Sequence, residues 1–204
     1  MLANHGKIIH QPQGILLPMS GRVALGSSYG FVFSIDGWGE LDNIYFEVTV
    51  TTVVDQPTNN FHLGMFWGDK PSLSGSAPTS NNFRRKSGDT EVEGGGSIEN
   101  GSNLGNLVVN TVYQFAWEGK SGNSNIWAGI DGTWSGGVEP SVGGSGSNAC
   151  AEGVDTGGNR IYFQAAVEKN DVDQNCSLTC NFGGSAFAHT VPPGFTGQIL
   201  AGAG

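Results

Sequence analysis

Ile44-Tyr45-Phe46-Glu47-Val48-Thr49-Val50-Thr51-Thr52-Val53-Val54 is the stretch that decides the fold. Ile44, Phe46, Val48 and Val50 alternate with Tyr45, Glu47, Thr49 and Thr51. Successive side chains of a strand point to opposite faces, so the segment predicts a long strand with one apolar and one more polar face. β-Branched and aromatic residues, which strands favour, dominate it. A half-buried strand of this kind suits a two-sheet β-sandwich.

The same period of two recurs on either side. Phe31, Phe33 and Ile35 alternate with Val32 and Ser34 and stop at Asp36-Gly37. Phe61 to Trp67 reads as another strand, and Val112 to Trp117 with Asn125 to Ile130 as a hairpin across the turn Glu118 to Ser124. Ile161 to Val167 and Cys176 to Phe182 are strands separated by the acidic turn Glu168 to Asn175. Asp69 to Asn106 is rich in Gly, Ser, Asn and Pro. A structureless loop of that length is out of place in a compact domain, so short strands are expected around Ser80 to Arg85 and Ser97 to Glu99. Gly136 to Gly158 reads as a second low-complexity loop. Residues 1–20, punctuated by Pro12, Gly14 and Pro18, read as an extended arm, and residues 21–204 as a single domain with a short C-terminal tail. The expected fold is all-β: about nine to twelve short antiparallel strands in a sandwich or jelly roll.

Composition excludes the competing classes. Of 204 residues 34 are Gly, against an average usage of about 7%, and only 13% are charged, which argues against long amphipathic helices. The glycines have no three-residue period and Pro numbers only 8, so the chain is not collagen-like. Five Trp, 11 Phe and 4 Tyr supply a core that a disordered chain lacks.

Nine basic residues against eighteen acidic ones give a formal charge of −9, the wrong sign for tracking phosphates, so no nucleic-acid partner is expected. The one basic cluster, Arg84-Arg85-Lys86, reads as a solvated loop tip or as a contact for an acidic partner surface. Ile15-Leu16-Leu17 is stopped by Pro18, short of the roughly 7 to 15 apolar residues of a signal core. No stretch approaches the ~18 apolar residues of a membrane span, so synthesis in a cytosol and no membrane partner are expected. Cys150, Cys176 and Cys180 are odd in number. On one strand Cys176 and Cys180 would stand about 13 Å apart, beyond a disulfide or a shared metal, so the cysteines read as small core residues.

Several segments invite chemistry. Glu40-Leu41-Asp42 is the best enzyme lead, since a retaining glycosidase needs two carboxylates about 5 to 5.5 Å apart, as alternate strand residues provide. The next acid, Glu47, falls on the opposite face at this spacing, so a hydrolase remains a remote alternative. Asp171, Asp173 and Asn175 begin like a calcium loop, but Cys176 and Phe182 stand where Gly and Glu are needed. His5, His10, His62 and His189 show no metal or nucleophile spacing, and Gly94-Gly95-Gly96 lacks the Lys of a phosphate loop. No cofactor and no metal are expected. Trp67, Trp127 and Trp134 are read as core or subunit-interface residues, with a sugar-stacking platform as the alternative.

Four segments carry a family resemblance. Asn43 to Val50 resembles the opening strand of the SPRY domain, Phe61 to Trp67 its next strand, and Val109 through Ile126-Trp127-Ala128-Gly129-Ile130-Asp131-Gly132-Thr133-Trp134 its hairpin. Leu178-Thr179-Cys180-Asn181-Phe182-Gly183-Gly184-Ser185-Ala186-Phe187, ending in Pro192-Pro193-Gly194-Phe195, is similar to its closing motif. Asn110-Thr111 stands where the family has Gly-Asp. The resemblance is to the version found in bacteriophage virion proteins. It implies a concanavalin-like double sheet acting as a non-enzymatic binding or structural module: a capsid decoration or tail-associated protein, made in the host cytosol and resident in the virion. Its partners would be other virion proteins and copies of itself, with a host surface glycan as the alternative. The candidate contact residues are Trp67, Trp127, Trp134, Arg84 and Arg85. The Gly-rich ends are expected to lie against neighbouring subunits, since such termini fray unless held.

Overall fold

The computed structural model describes residues 15–17, 20–25, 30–34, 37–54, 61–69, 81–86, 90–93, 97–98, 107–144, 146–167 and 175–197. Residues 15–34, 54, 61–62, 85–86, 90–93, 98, 166–167 and 175–176 among these are described by backbone alone. The described residues form strands, turns and bends, with no helix.

Two sheets result. The six-stranded sheet runs β1 (Ile15–Leu17), β3 (Gly30–Ser34), β13 (Arg160–Val167), β5 (Phe61–Gly68), β6 (Asn82–Lys86), β7 (Thr90–Glu93). The larger sheet runs β2 (Ser20–Leu25), β14 (Asn175–Asn181), β4 (Ile44–Val54), β9 (Val112–Glu118), β10 (Ser124–Ile130), β12 (Ala151–Val154), β8 (Ser97–Ile98), with β11 (Thr133–Trp134) paired to β10. All pairings are antiparallel except β1 with β3. The fold is the expected antiparallel two-sheet sandwich, and β4 runs over the full Ile44–Val54 stretch.

Period-two alternation explains the core. Ile44, Phe46, Val48 and Val50 are fully buried and face Leu63, Met65 and Trp67 of β5 and Ile161, Phe163 and Ala165 of β13 across the sandwich. Phe46 is the hub. It stacks on Phe115 (ring centroids 5.0 Å apart) and Trp38 (5.7 Å) and meets Phe163 and Phe182 edge-on. Such offset and edge-to-face pairs contribute about 0.5–1.5 kcal/mol each beyond area burial. Between β5 and β6 the backbones approach so closely at Gly64 that a Cβ there would overlap the Phe83 carbonyl oxygen, so no other residue fits. Asp131-Gly132, with φ of 46° and 81°, closes the β10–β11 hairpin as a two-residue turn.

Several expectations are corrected. The 1–20 arm is not wholly irregular: Ile15–Leu17 adds to β3, while residues 1–14 and 198–204, where contacts with neighbours were expected, lie outside the described residues. Gly136 to Gly158 contains β12, which pairs with β10 and β8, and β7 is an additional strand in the 69–106 region. These strands are short and poor in apolar alternation, so period-two reading does not find them. Arg84-Arg85-Lys86 is not a loop tip but the body of β6, hydrogen-bonded on both sides by β5 and β7.

Candidate functional site

The second face of β4 is closed off from water at Tyr45 and Glu47. Tyr45 is fully buried and Glu47 is 3% exposed, because residues 182–197 cross that face of the larger sheet. There Tyr45, Ala116, Trp127, Trp134, Ala149 and Phe195 form a second apolar cluster, flanked by Phe187 and Val191. Phe187 meets Tyr45 edge-on at 4.9 Å, and Phe195 meets Trp127 at 5.9 Å. Backbone bonds fix the far end: Tyr45 N donates to Thr196 O, and Thr196 N to Asn43 O.

A polar clip sits inside this cluster. Glu47 Oε1 accepts from the Tyr45 hydroxyl (2.7 Å) and His189 N (2.9 Å), and Oε2 from Ala188 N (2.8 Å). Gln114, opposite Glu47 on β9, donates Nε2–H to the Tyr45 oxygen and accepts from Gly132 N. Every donor is therefore matched by an acceptor, as burial requires. Burial pushes the Tyr45 phenol well above its ordinary value; the Gln114 bond opposes this, and the hydrogen bond and charge of Glu47 reinforce it.

A second buried carboxylate stands on the same face at the strand end. Glu118, 1% exposed, lies opposite Asn125 of β10. Its Oε2 accepts from Asn125 Nδ2 (2.8 Å) and Lys120 Nζ (2.9 Å), and its Oε1 from Gly143 N. The carboxylate thereby pins residues 137–146 to the sheet.

Four of the five predicted contact residues, the three tryptophans and Arg84, are buried. Trp67 (2% exposed), Trp127 (4%) and Trp134 (8%) are all buried, the first in the main core against Trp117 and the others under the closing segment. The sugar-stacking platform is thus corrected: an indole offers its face to a sugar only when that face is open. Arg84 is buried on β6, and the side chain of Arg85 lies outside the described residues. Glu40 and Asp42 do not form an open carboxylate pair with Glu47. Asp42 caps Gly39 N at 2.7 Å, Glu40 faces the exposed Gly122 N at 3.4 Å, and Glu47 is sealed inside its clip. Asp171 and Asp173 of the calcium-like turn, and His5 and His10, lie outside the described residues. Cys150 and Cys180 are buried free thiols.

What the described surface presents instead is apolar loop residues. Leu41, Val108, Val109, Val138 and Val142 are the exposed large hydrophobics among the described residues, all in connections between strands. The residue 137–144 loop rests on the closing segment, where Val142 Cγ2 would stand 2.9 Å from a Cβ on Gly194. The sequence signal was there, since Val138 and Val142 interrupt a Gly/Ser-rich run, but isolated valines in low-complexity sequence have no periodicity to mark them.

No family model matches the chain, and no curated protein matches it. Among solved structures it is similar to the SPRY domain of human HERC1, with 9% identity and a TM-score of 0.42 over 78% of this chain and 86% of that one. It is also similar to peanut lectin solved with a nine-residue peptide, with 7% identity and a TM-score of 0.31 over 79% of this chain and 96% of that one. The sandwich described here rests on its own sheet order and core.

Proposed function

We propose that this protein is a binding module that works through protein–protein contacts of its loops, serving as a structural component of a bacteriophage particle, either a capsid decoration or a tail-associated protein. One observation carries the contact mode: the outer face of β4, β9 and β10 is consumed by the chain's own closing segment, while apolar side chains remain at loop tips. A scattered exposed valine is ordinary; Val142 differs in lying against Gly194 of the closing segment while staying exposed. The particle assignment rests on the sequence resemblance of Asn43 to Val50 and Leu178 to Phe195. The net charge of −9 suits solubility before assembly.

The test is to purify the particles, quantify this chain by mass spectrometry, and compare wild type with Val138→Ser/Val142→Ser. Stoichiometric wild type and depleted variant, with unchanged melting of the isolated proteins, support the reading. Absence of the wild-type chain from the particles overturns the location, and equal incorporation of the variant overturns the role of this loop. The glycan reading predicts binding on a glycan array, which burial of the three indoles argues against.

A further inference from the structure

Lys120, Glu118 and Asn125 form a constellation of which the binding role uses only Glu118 Oε1, through Gly143. Glu118 ends β9, Asn125 faces it across the hairpin, and Lys120 begins the return turn after Gly119. The turn folds Lys120 back: its N donates to Ser124 Oγ (3.0 Å), and its carbonyl accepts from Ser124 Oγ–H (2.8 Å) and Asn123 N (3.3 Å). A single carboxylate oxygen, Glu118 Oε2, accepts from both the Lys120 amine and the Asn125 carboxamide. Glu118 is 1% and Asn125 4% exposed. The loop closes over them so tightly that a Cβ on Gly146 would stand 2.8 Å from Asn125 Oδ1.

A part-exposed ion pair of Lys120 with Glu118 would add only about 0–1 kcal/mol and would not require a buried amide on the same oxygen. The shared oxygen brings an amine nucleophile and a carboxamide to one proton carrier, Lys120 Nζ at 2.9 Å and Asn125 Nδ2 at 2.8 Å from Glu118 Oε2. Fixed proximity of this kind is worth effective molarities on the order of 10⁵–10⁸ M when the reacting atoms are aligned. A carboxyl group placed between donor and leaving group is a general acid–base.

We propose that Lys120 and Asn125 join in an intramolecular isopeptide bond, with Glu118 carrying the proton. The Lys120 ammonium passes a proton to Glu118 Oε2, and the neutral Nζ attacks Asn125 Cγ to form the new C–N bond. Nζ loses a further proton as Nδ2 is protonated, the Cγ–Nδ2 bond breaks, and ammonia departs. Glu118 returns to its carboxylate as the released ammonia takes up the proton. The balance is one ammonium side chain and one carboxamide giving one secondary amide and one ammonium ion, with no oxidant or cofactor. The bond would tie the base of the β9–β10 turn covalently, independently of what the loops bind.

Tryptic mapping of the purified protein tests this directly. Unlinked chain is cut at Lys120 into peptides 87–120 and 121–160, whereas the linked chain yields a single 87–160 peptide lighter by one ammonia and uncut at Lys120. Fragmentation should place the branch between Lys120 and Asn125. Lys120→Arg and Glu118→Gln should each restore two peptides of full mass. Two full-mass peptides from the folded wild-type protein overturn the proposal. Loss of ammonia that persists in Lys120→Arg also overturns it, since that reports a succinimide at Asn125. A linked peptide from Glu118→Gln overturns the part given to Glu118.

Discussion

Removing the Glu47 carboxylate should release the closing segment without dissolving the sandwich. Glu47→Ala leaves one buried donor, the Tyr45 hydroxyl, and two part-buried ones, the amides of Ala188 and His189, without their acceptor. Each stranded donor costs roughly 1–3 kcal/mol, and bonds to a charged acceptor lie towards the upper part of that range. Water reaches the two part-buried amides and relieves much of their cost, so the expected loss is about 2–3 kcal/mol, still a sizeable share of the ~5–15 kcal/mol that holds a domain together. The effect should be local first, because the main core around Phe46 makes no contact with the carboxylate. Hydrogen exchange reads this residue by residue: the Ala188, His189 and Thr196 amides should lose protection in Glu47→Ala, while the amides of β13 keep theirs. Glu47→Gln, which retains one acceptor oxygen, should fall between. Unchanged protection of Ala188 and His189 in Glu47→Ala would refute the clip.

Other substitutions probe different parts of the fold. Gln164 is 1% exposed on β13 and both its side-chain polar atoms lack a hydrogen-bond partner, so Gln164→Leu should raise stability by about 1–2 kcal/mol in urea unfolding, and a loss would show that the amide is satisfied in solution. Gly64→Ala should destabilise by several kcal/mol, on the order of the most damaging core changes, since the strands must part to admit the methyl; near-neutral melting would contradict the β5–β6 spacing. The Tyr45 phenol, raised by burial, should stay un-ionised in the native protein after ordinary tyrosines titrate, as followed by phenolate absorbance. Because its native pKa exceeds the unfolded value of about 10, its contribution is complete below that pH and diminishes as pH rises above it. Tyr45→Phe should weaken this alkaline loss.

The sheet-forming segments were legible because the face turned to the main core is the more apolar one, which leaves period-two alternation in the residues themselves. Ile44–Val54, Phe61–Gly68 and Arg160–Val167 all keep it. The alternation says less about what covers the opposite face. Val112–Glu118 is buried at all seven positions, yet its sequence, Val-Tyr-Gln-Phe-Ala-Trp-Glu, still puts Gln114 and Glu118 among them. Those polar residues read as a wet face until the β10–β11 turn, through Gly132, and the following loop, through Gly143, bring amide donors to them. The closing motif itself was visible in Phe182, Phe187 and Phe195, but sequence order alone did not say that Phe182 enters the main core while the other two cover the opposite side of the sheet. The same pairing in space hid the fate of Trp127 and Trp134, whose partners lie far along the chain at Phe195 and Tyr45.

Glycine supplies the physical link between this covering and the loops. A loop can lie directly on a sheet only where its backbone approaches without side chains, as Gly143 does to donate to Glu118 and Gly146 does beside Asn125. Glycine at these positions therefore serves contact as well as turning, and the two buried carboxylates beneath, Glu47 and Glu118, serve as anchors for main-chain amides of the segments above. Sealing the sheet in this way leaves its aromatic surface unavailable to any ligand. It also holds in place a loop bearing the exposed Val138 and Val142, with Gly143 bonded to Glu118 and Val142 lying partly against Gly194. A surface held in place before a partner arrives loses less conformational entropy on docking than a floppy one, which is the physical reason to seek the partner at this loop.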